Sequence, residues 1–386
     1  MSRSVRKEII SEIEELRGSR VLAYITGDRP PVTAQIGDDA VRPIYEQLRK
    51  IDRTEKLDVF IYSRGGAIDV PWRIATTLRN IAKEWNILIP FRANSAATLL
   101  ALGADEIVLG RQGELGPIDP NLSLQRVVPG PNGTPGTAVQ ENVSVEDIMA
   151  YVKFSRERAG LSDQNALVTS LGRLTDRIDA VTLGSAYRTH SHIRDVARRM
   201  LLSRATAASE QELGAIVETL AERVYAHGHA IGLRDAQGIG LPVIAADQKI
   251  DDAMWRLLNQ YEEDLKLLLP LDPAAVTADR DKYTEQSVIS VVETTAGGRE
   301  FTGEIQILAK RQIPANLNVA LSLTMPPLPT GQQGQIQAAA LQALMQQLQQ
   351  TIGLQAQEAV QAAMRDQAPI VGFEAKLVGG HWEAYD

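Results

Sequence analysis

The sequence lacks cysteine, long apolar runs and an excess of positive charge. Without cysteine there is no disulfide framework, no thiol nucleophile and no zinc–thiolate site. No apolar run approaches the roughly 18 residues of a membrane helix, and residues 1–10 lack the apolar core of a signal peptide. A net charge of −8 argues against general nucleic-acid binding and against docking on anionic membranes. We therefore expect a soluble cytoplasmic protein with no nucleic acid and no membrane as partner.

Apolar strand-like runs alternate with amphipathic segments in the first part of the chain. This pattern predicts strands over residues 21–26, 57–62, 87–90 and 106–110, and helices over 6–16, 38–51, 67–85 and from 96 onward. Elements in this order predict an α/β fold with a largely parallel sheet. Binding and catalytic sites in such sheets gather at the carboxyl ends of the strands.

A Pro-containing break at residues 269–273 marks a predicted boundary between a domain over 1–270 and a smaller one over 280–386. The second is predicted to be an α+β appendage with a hairpin around 296–298 and a Gln/Ala-rich helix over 335–365. An apolar stripe on that helix is typical of a core or an oligomer seam. No residue of this appendage indicates chemistry.

Ser95 follows the predicted strand 87–90 and precedes a short apolar helix. A hydroxyl in that position lies near unpaired backbone N–H groups and the positive end of the helix dipole. This is one way to place a nucleophile beside an oxyanion hole. The alternative is a helix N-cap, a common role for serine, and this stretch alone favours the cap.

The pair Gly65–Gly66 directly follows the predicted strand 57–62. Glycines allow backbone amides to approach a ligand without an intervening Cβ, although many ordinary turns carry the same pair. One helix and one strand separate this turn from Ser95, so the two strand ends should be neighbours. The amide after Gly65 and the amide of Ala96 would then converge on one oxyanion.

A serine nucleophile needs a base, and Lys153 is the single lysine between Ser95 and Gln248. It lies on a predicted helix that Ser144 opens, after a Pro- and Gly-rich segment over 126–142 that predicts a loop. Partial burial at the edge of that helix's apolar stripe would lower its pKa and make it a usable base. An ordinary snorkelling lysine is an equally good interpretation.

The histidine pairs His190/His192 and His227/His229 are the only pattern that suggests a metal site. No carboxylate pattern completes such a site, and histidines near turns are more often surface or capping residues. We predict neither a metal nor a cofactor.

Four sequence blocks, in order, resemble the serine dehydrogenase proteinase family of the ClpP/crotonase superfamily, a relative of signal peptide peptidase A. The blocks are Tyr62-Ser-Arg-Gly-Gly66, Asn94-Ser-Ala-Ala-Thr98, Ala104-Asp-Glu-Ile-Val108 and Gly113-Glu-Leu-Gly-Pro-Ile-Asp-Pro120. Residues 225–243 also resemble that family's downstream His/Gly-Leu motif, and the resemblance extends over about residues 15–265. It implies a ClpP/crotonase-like spiral of β-β-α units with a peptidase site.

The resemblance assigns the nucleophile to Ser95 and the two oxyanion amides to Gly66 and Ala96, with Gly65 shaping the turn. Asp119–Pro120 stands where ClpP has its histidine, so the resemblance does not imply a Ser-His-Asp triad. Relatives of signal peptide peptidase A use a lysine on a downstream helix, and Lys153 matches that role. Ala97 departs from the glycine that relatives commonly carry, which is either harmless or narrows the substrate groove.

The function that this resemblance implies is a serine endopeptidase that hydrolyses polypeptide through an acyl-enzyme, with a Ser95/Lys153 dyad and no cofactor. Superfamily members usually form rings or stacked oligomers, so a homo-oligomer is expected. Two alternatives stay open. One is a crotonase-type acyl-CoA enzyme that uses the same paired amides, and the other is a non-catalytic ClpP-like oligomeric scaffold.

Overall fold

A computed structural model of the chain describes residues 2–51, 53–118, 121–128, 137–206, 209–223, 229–278, 280–312, 347, 351–352 and 368–385. The helices are α1 (Ser2–Arg17), α2 (Val41–Ile51), α3 (Val70–Ile81), α4 (Ala96–Leu102), α5 (Val145–Glu157), α6 (Gln164–Thr175), α7 (Ala180–Leu202), α8 (Glu210–Glu218), α9 (Leu233–Ile239), α10 (Gln248–Asp264) and α11 (Pro273–Thr277). The strands are β1 (Arg20–Thr26), β2 (Thr54–Tyr62), β3 (Ala82–Ile89), β4 (Arg92–Ala93), β5 (Ile107–Leu109), β6 (Glu114–Leu115), β7 (Asn121–Val128), β8 (Thr137–Ser144), β9 (Val243–Ala245), β10 (Lys282–Thr294), β11 (Gly297–Arg311) and β12 (Ile370–Tyr385).

The predicted α/β class is confirmed, and the main sheet has the strand order β12-β11-β10-β1-β2-β3-β5-β9. The five strands from β1 to β9 in this order are parallel, whereas β10 pairs antiparallel with β1. The parallel strands read as continuous apolar runs because both of their faces are covered. One face packs against α2, α3, α4 and α7, and the other packs against α1 and α10.

Contacts divide the chain into two compact units. The first comprises residues 1–270, 286–304 and 379–386, and the second comprises 271–285 and 305–378. The domain boundary expected between residues 270 and 280 stays a prediction. By their contacts, residues 286–304 and 379–386 group with the first unit. Strand β10 explains part of this result, because its apolar residues Val291 and Val292 are buried against the main core.

Two local predictions differ from the structure. The helix expected over 67–85 ends at Ile81, and Ala82 begins β3, where Trp85 pairs with Leu57 and is fully buried. Pairing with β2 overrides the helical pattern of these residues. The loop expected over 126–142 instead contains parts of β7 and β8, which form an antiparallel pair. The Gln/Ala-rich helix expected over 335–365 lies outside the described residues except for 347 and 351–352, which are helical.

Asp58, fully buried in β2, is the anchor of a charged network at the opposite end of the strands from Ser95. Its carboxylate accepts bonds from Arg17 Nε at 2.9 Å, Ser19 Oγ at 2.7 Å and Asn86 Nδ2 at 3.1 Å. Removing Asp58 takes the buried carboxylate from the Arg17 guanidinium, whose one other anionic partner among the described residues is the partly exposed Glu106 at 3.0 Å. We expect Asp58→Ala to lower the free energy of unfolding by about 3–5 kcal/mol, measured by denaturant unfolding.

The matched control is Glu55→Ala, since Glu55 pairs with Lys83 at 2.7 Å while both side chains are exposed. Exposed pairs contribute about 0–1 kcal/mol. An equal loss in the two variants would contradict this account of Asp58.

Candidate active site

A second, short row of paired segments lies where the long parallel strands end. Ser63, just after β2, bridges to Ala93 in β4, and β4 pairs in parallel with β6, which places Ala93 beside Leu115. Leu115 in turn pairs antiparallel with Ile231. The Gly65–Gly66 turn therefore follows one member of this row and Ser95 follows the next. Their proximity, expected from the order of elements, is present in the structure.

Ser95 has φ 52° and ψ −113°, a backbone conformation that residues other than glycine rarely adopt. It occupies the N-cap position of α4, yet its hydroxyl makes no capping hydrogen bond. The capping role that the stretch alone favoured is thus not how this serine is used. Strained residues of this kind cluster at functional sites, and a sharp strand-to-helix turn is a known way to present a serine nucleophile.

Gly65 packs directly against the Ser95 turn. A Cβ atom on Gly65, whose φ is 110°, would lie 2.7 Å from the Ser95 Cβ, 2.8 Å from the Asn94 carbonyl oxygen and 3.1 Å from the Ala96 nitrogen. A Cβ atom on Gly66 would lie 2.4 Å from the backbone of Ile36. Both positions accept only glycine, because a Cβ atom would collide with the Ser95 turn at Gly65 and with the Ile36 backbone at Gly66.

The amides of Gly66 and Ala96 lack acceptors among the described residues. On one side of the Gly65–Gly66 turn, Ile36 donates to the Gly65 carbonyl oxygen at 2.8 Å, and Ala67 donates to the Ile36 carbonyl oxygen at 2.9 Å. The Gly66 amide takes no part in that pairing. The Ala96 amide is the first of α4, where helices leave N–H groups unsatisfied. Two unpaired donors therefore stand on the two turns that meet at Ser95.

Thr98, fully buried in the first turn of α4, fixes this helix to its neighbours. Its hydroxyl donates to the Ala93 carbonyl oxygen at 2.7 Å and accepts from the Gly116 amide at 3.1 Å. Gly116, from the sequence block that begins at Gly113, thus packs beside the Ser95 turn. The Oδ1 atom of Asn94, buried there, has no hydrogen-bond donor among the described residues.

A charged cluster at the carboxyl end of β2 adjoins the glycine turn. Asp28 accepts a hydrogen bond from the Tyr62 hydroxyl at 2.8 Å and another from the Arg64 guanidinium. Burial is the largest cause that raises the pKa of Tyr62, and the negative charge of Asp28 is the second. This hydroxyl therefore stays protonated and donates. The cluster holds Arg64, the residue directly before Gly65.

Lys153 lies on α5, as the sequence predicts, and its side chain is exposed. Ser144 caps this helix by accepting bonds from the amides of Glu146 and Asp147. The helix packs against β8, α6 and α7. Among the described residues no hydrogen bond joins Lys153 to Ser95, so the dyad stays a prediction.

His190 and His192 each lie near a carboxylate. His192 Nε2 lies 2.6 Å from Asp69 Oδ1, and His190 Nε2 lies 3.8 Å from Glu146 Oε1. His229 is exposed, and both His227 and Asp119–Pro120 fall outside the described residues. Within the described part of the chain, no group of three or more potential ligands is placed to hold a metal ion. The helices described there also include none long and apolar enough to cross a membrane.

Residues 1–130 match the model of a family described as ClpP-like SDH-type serine proteinases. The match spans both the glycine turn and Ser95, and it confirms the resemblance found in the sequence blocks. An uncharacterized protein of Methanocaldococcus jannaschii is 21% identical over 267 residues, which cover 68% of this chain and 80% of that protein. A second uncharacterized protein of this organism is 30% identical over 123 residues, covering 30% of this chain and 42% of that protein.

Proposed function

We propose that this chain is a serine endopeptidase in which Ser95 attacks the scissile carbonyl of an extended polypeptide. The single observation that carries the proposal is the strained, uncapped Ser95 between the acceptor-free amides of Gly66 and Ala96. Paired backbone donors beside a serine hydroxyl are what the tetrahedral intermediate of acyl transfer requires. The family match over residues 1–130 supports this chemistry.

The topology supports a ClpP/crotonase-like spiral. Strand β3 is followed by the short strand β4 and then α4, and β5 is followed by the short strand β6. The short strands pair with each other in a separate row from the main sheet. The order β3-β4-α4 is one β-β-α unit, and the pair β5 and β6 repeats its two strands, as part of a spiral of such units would. We propose this architecture for the first unit.

In the proposed reaction, neutral Lys153 takes the proton of the Ser95 hydroxyl as the Oγ–carbon bond forms. The negative charge that develops on the carbonyl oxygen accepts bonds from the Gly66 and Ala96 amides. Lys153 then gives its proton to the leaving amine, and the carbon–nitrogen bond breaks. Water, activated by the same lysine, releases the acyl group and regenerates Ser95.

The dyad requires Lys153 to approach Ser95. Lys153 is exposed on α5, and the proposal requires its Nζ atom to come within hydrogen-bonding distance of the Ser95 hydroxyl in the reacting protein. The expected homo-oligomer is part of the same proposal.

Replacing Lys153 tests the base. We expect Lys153→Ala to slow labelling of Ser95 by a fluorophosphonate probe by about 10²–10⁴-fold, the usual contribution of a general base. The measurement is the second-order labelling rate constant, taken from gel fluorescence over time.

The control is Lys249→Ala, because Lys249 is also an exposed helical lysine but lies on α10. It should label at the wild-type rate. Wild-type labelling by Lys153→Ala would remove this lysine from the mechanism while leaving the nucleophile assignment intact.

A further inference from the structure

Two buried hydroxyl groups lie directly behind the glycine turn. Thr26 ends β1 and Ser63 follows β2, and both side chains are fully buried. Strands β1 and β2 pair in parallel with Ile25 beside Tyr62, so the next residues along the two strands are also neighbours. The Thr26 hydroxyl donates to Ser63 Oγ at 2.8 Å.

Ser63 is bonded to both turns of the candidate site. Its Oγ accepts a hydrogen bond from the Gly65 amide at 3.0 Å, and Gly65 directly precedes the proposed oxyanion donor Gly66. Its backbone carbonyl oxygen accepts from the Asn94 amide at 3.0 Å, and Asn94 directly precedes Ser95. One residue therefore ties the turn that holds the first donor to the turn that holds the nucleophile and the second donor.

We propose that Ser63, oriented by Thr26, is a positioning residue that sets the spacing between the Gly66 and Ala96 amides. This inference rests on the proposed function of Ser95. An oxyanion hole stabilises charge only if its donors are fixed before the charge develops. Gly65 has a left-handed φ of 110° in a glycine pair with wide conformational freedom, so a fixed Gly65 amide needs a hydrogen bond, which Ser63 Oγ accepts from two residues earlier in the chain.

The pair of hydroxyl groups matters because the buried Gly65 amide needs a hydrogen-bond acceptor that is held in place. Buried N–H groups are nearly always paired, and Ser63 Oγ is the acceptor that pairs the Gly65 amide. The Thr26 hydroxyl restricts the rotation of the Ser63 side chain by donating to the same oxygen. Without this second bond the Ser63 hydroxyl can turn away from the Gly65 amide, and the Gly65–Gly66 peptide is then held only by the bond that the Ile36 amide donates to the Gly65 carbonyl oxygen.

The test compares Thr26→Val, which removes the hydroxyl at nearly constant shape, with Thr26→Ser, which keeps it. Ser63→Ala is the second variant, because it removes the acceptor itself. In Ser63→Ala we expect kcat/KM for a peptide substrate to fall by about 10–100-fold, somewhat less than the 10²–10³-fold effect of deleting an oxyanion donor. Thr26→Val should show a smaller loss in the same direction, and Thr26→Ser should be close to wild type.

A readout specific to the oxyanion separates positioning from general damage to the fold. A peptide aldehyde forms a hemiacetal with Ser95 and places its oxygen where the oxyanion develops. Its inhibition constant should rise by the same factor by which kcat/KM falls, while KM stays nearly unchanged. A rise in KM alone, or equal losses in Thr26→Val and Thr26→Ser, would overturn the positioning role.

Failure of this inference is distinguishable from failure of the proposed function. If the wild-type protein reacts with a fluorophosphonate but Ser63→Ala and Thr26→Val react at the wild-type rate, only the positioning role is wrong. If the folded wild-type protein does not react at all, the proposed function is wrong and this inference falls with it.

Discussion

Ser95→Ala is expected to abolish peptidase activity, with kcat for an unstructured polypeptide such as labelled casein falling by roughly 10⁴-fold or more. The reason is that the variant removes the atom that forms the acyl bond. Activity is measured as release of acid-soluble fluorescence under conditions where the variant is folded.

Unlike its activity, the stability of Ser95→Ala should stay close to that of the wild type. The reason is that Ser95 makes no capping bond, so its replacement removes no hydrogen bond described in the structure. The control is Ser209→Ala, since Ser209 caps α8 through a complete capping box with Glu212. Loss of that cap should cost about 1 kcal/mol of unfolding free energy and leave activity unchanged. A Ser95→Ala protein that keeps wild-type activity would contradict the nucleophile assignment.

Gly65→Ala is expected to have the second-largest effect, a loss of kcat/KM of at least about 100-fold, comparable to removing one oxyanion donor. The added methyl would lie 2.7 Å from the Ser95 Cβ and 2.8 Å from the Asn94 carbonyl oxygen, so the two turns must move apart. This movement displaces the Gly66 amide from the Ser95 hydroxyl. The measurement is kcat/KM on a fluorogenic peptide, with thermal unfolding followed in parallel.

Gly240→Ala separates the contact with Ser95 from backbone strain. Gly240 has a φ of 95°, close to that of Gly65, but a Cβ there would meet no atom nearer than 3.9 Å. Both variants carry the cost of a left-handed alanine, about 1 kcal/mol or somewhat more. Only Gly65→Ala should lose activity, and equal losses in the two variants would mean that strain alone explains the effect.

Much of the parallel sheet is predictable from the sequence because its strands are continuous apolar runs. The start of β3 is not, since the residues from Ala82 to Trp85 extend the helical pattern of α3 and become a strand only by pairing with β2. The antiparallel pairing of β10 with β1 is equally hidden, because it joins segments far apart in the chain. The local sequence of a strand does not show which distant segment it pairs with.

The candidate site likewise has residues that the sequence predicts and residues that it does not. Ser95 and the Gly65–Gly66 turn can be found from residue type and from their places at strand ends. Thr26 and Ser63 were missed, because their contact depends on β1 lying next to β2. The sequence does carry one signal for them: a small hydroxyl residue stands at the end of each of two apolar strands, Thr26 at the end of β1 and Ser63 directly after β2. The base could not be settled from position along the chain, since helical periodicity does not determine whether Lys153 meets Ser95.

The most direct test of the central claim is peptide mapping by mass spectrometry after reaction of the folded wild-type protein with a fluorophosphonate. We expect one phosphonylated site, the hydroxyl of Ser95, and no adduct when the protein is unfolded before the reaction. An adduct on another residue, or none on the folded protein, would contradict the claim that Ser95 is the nucleophile.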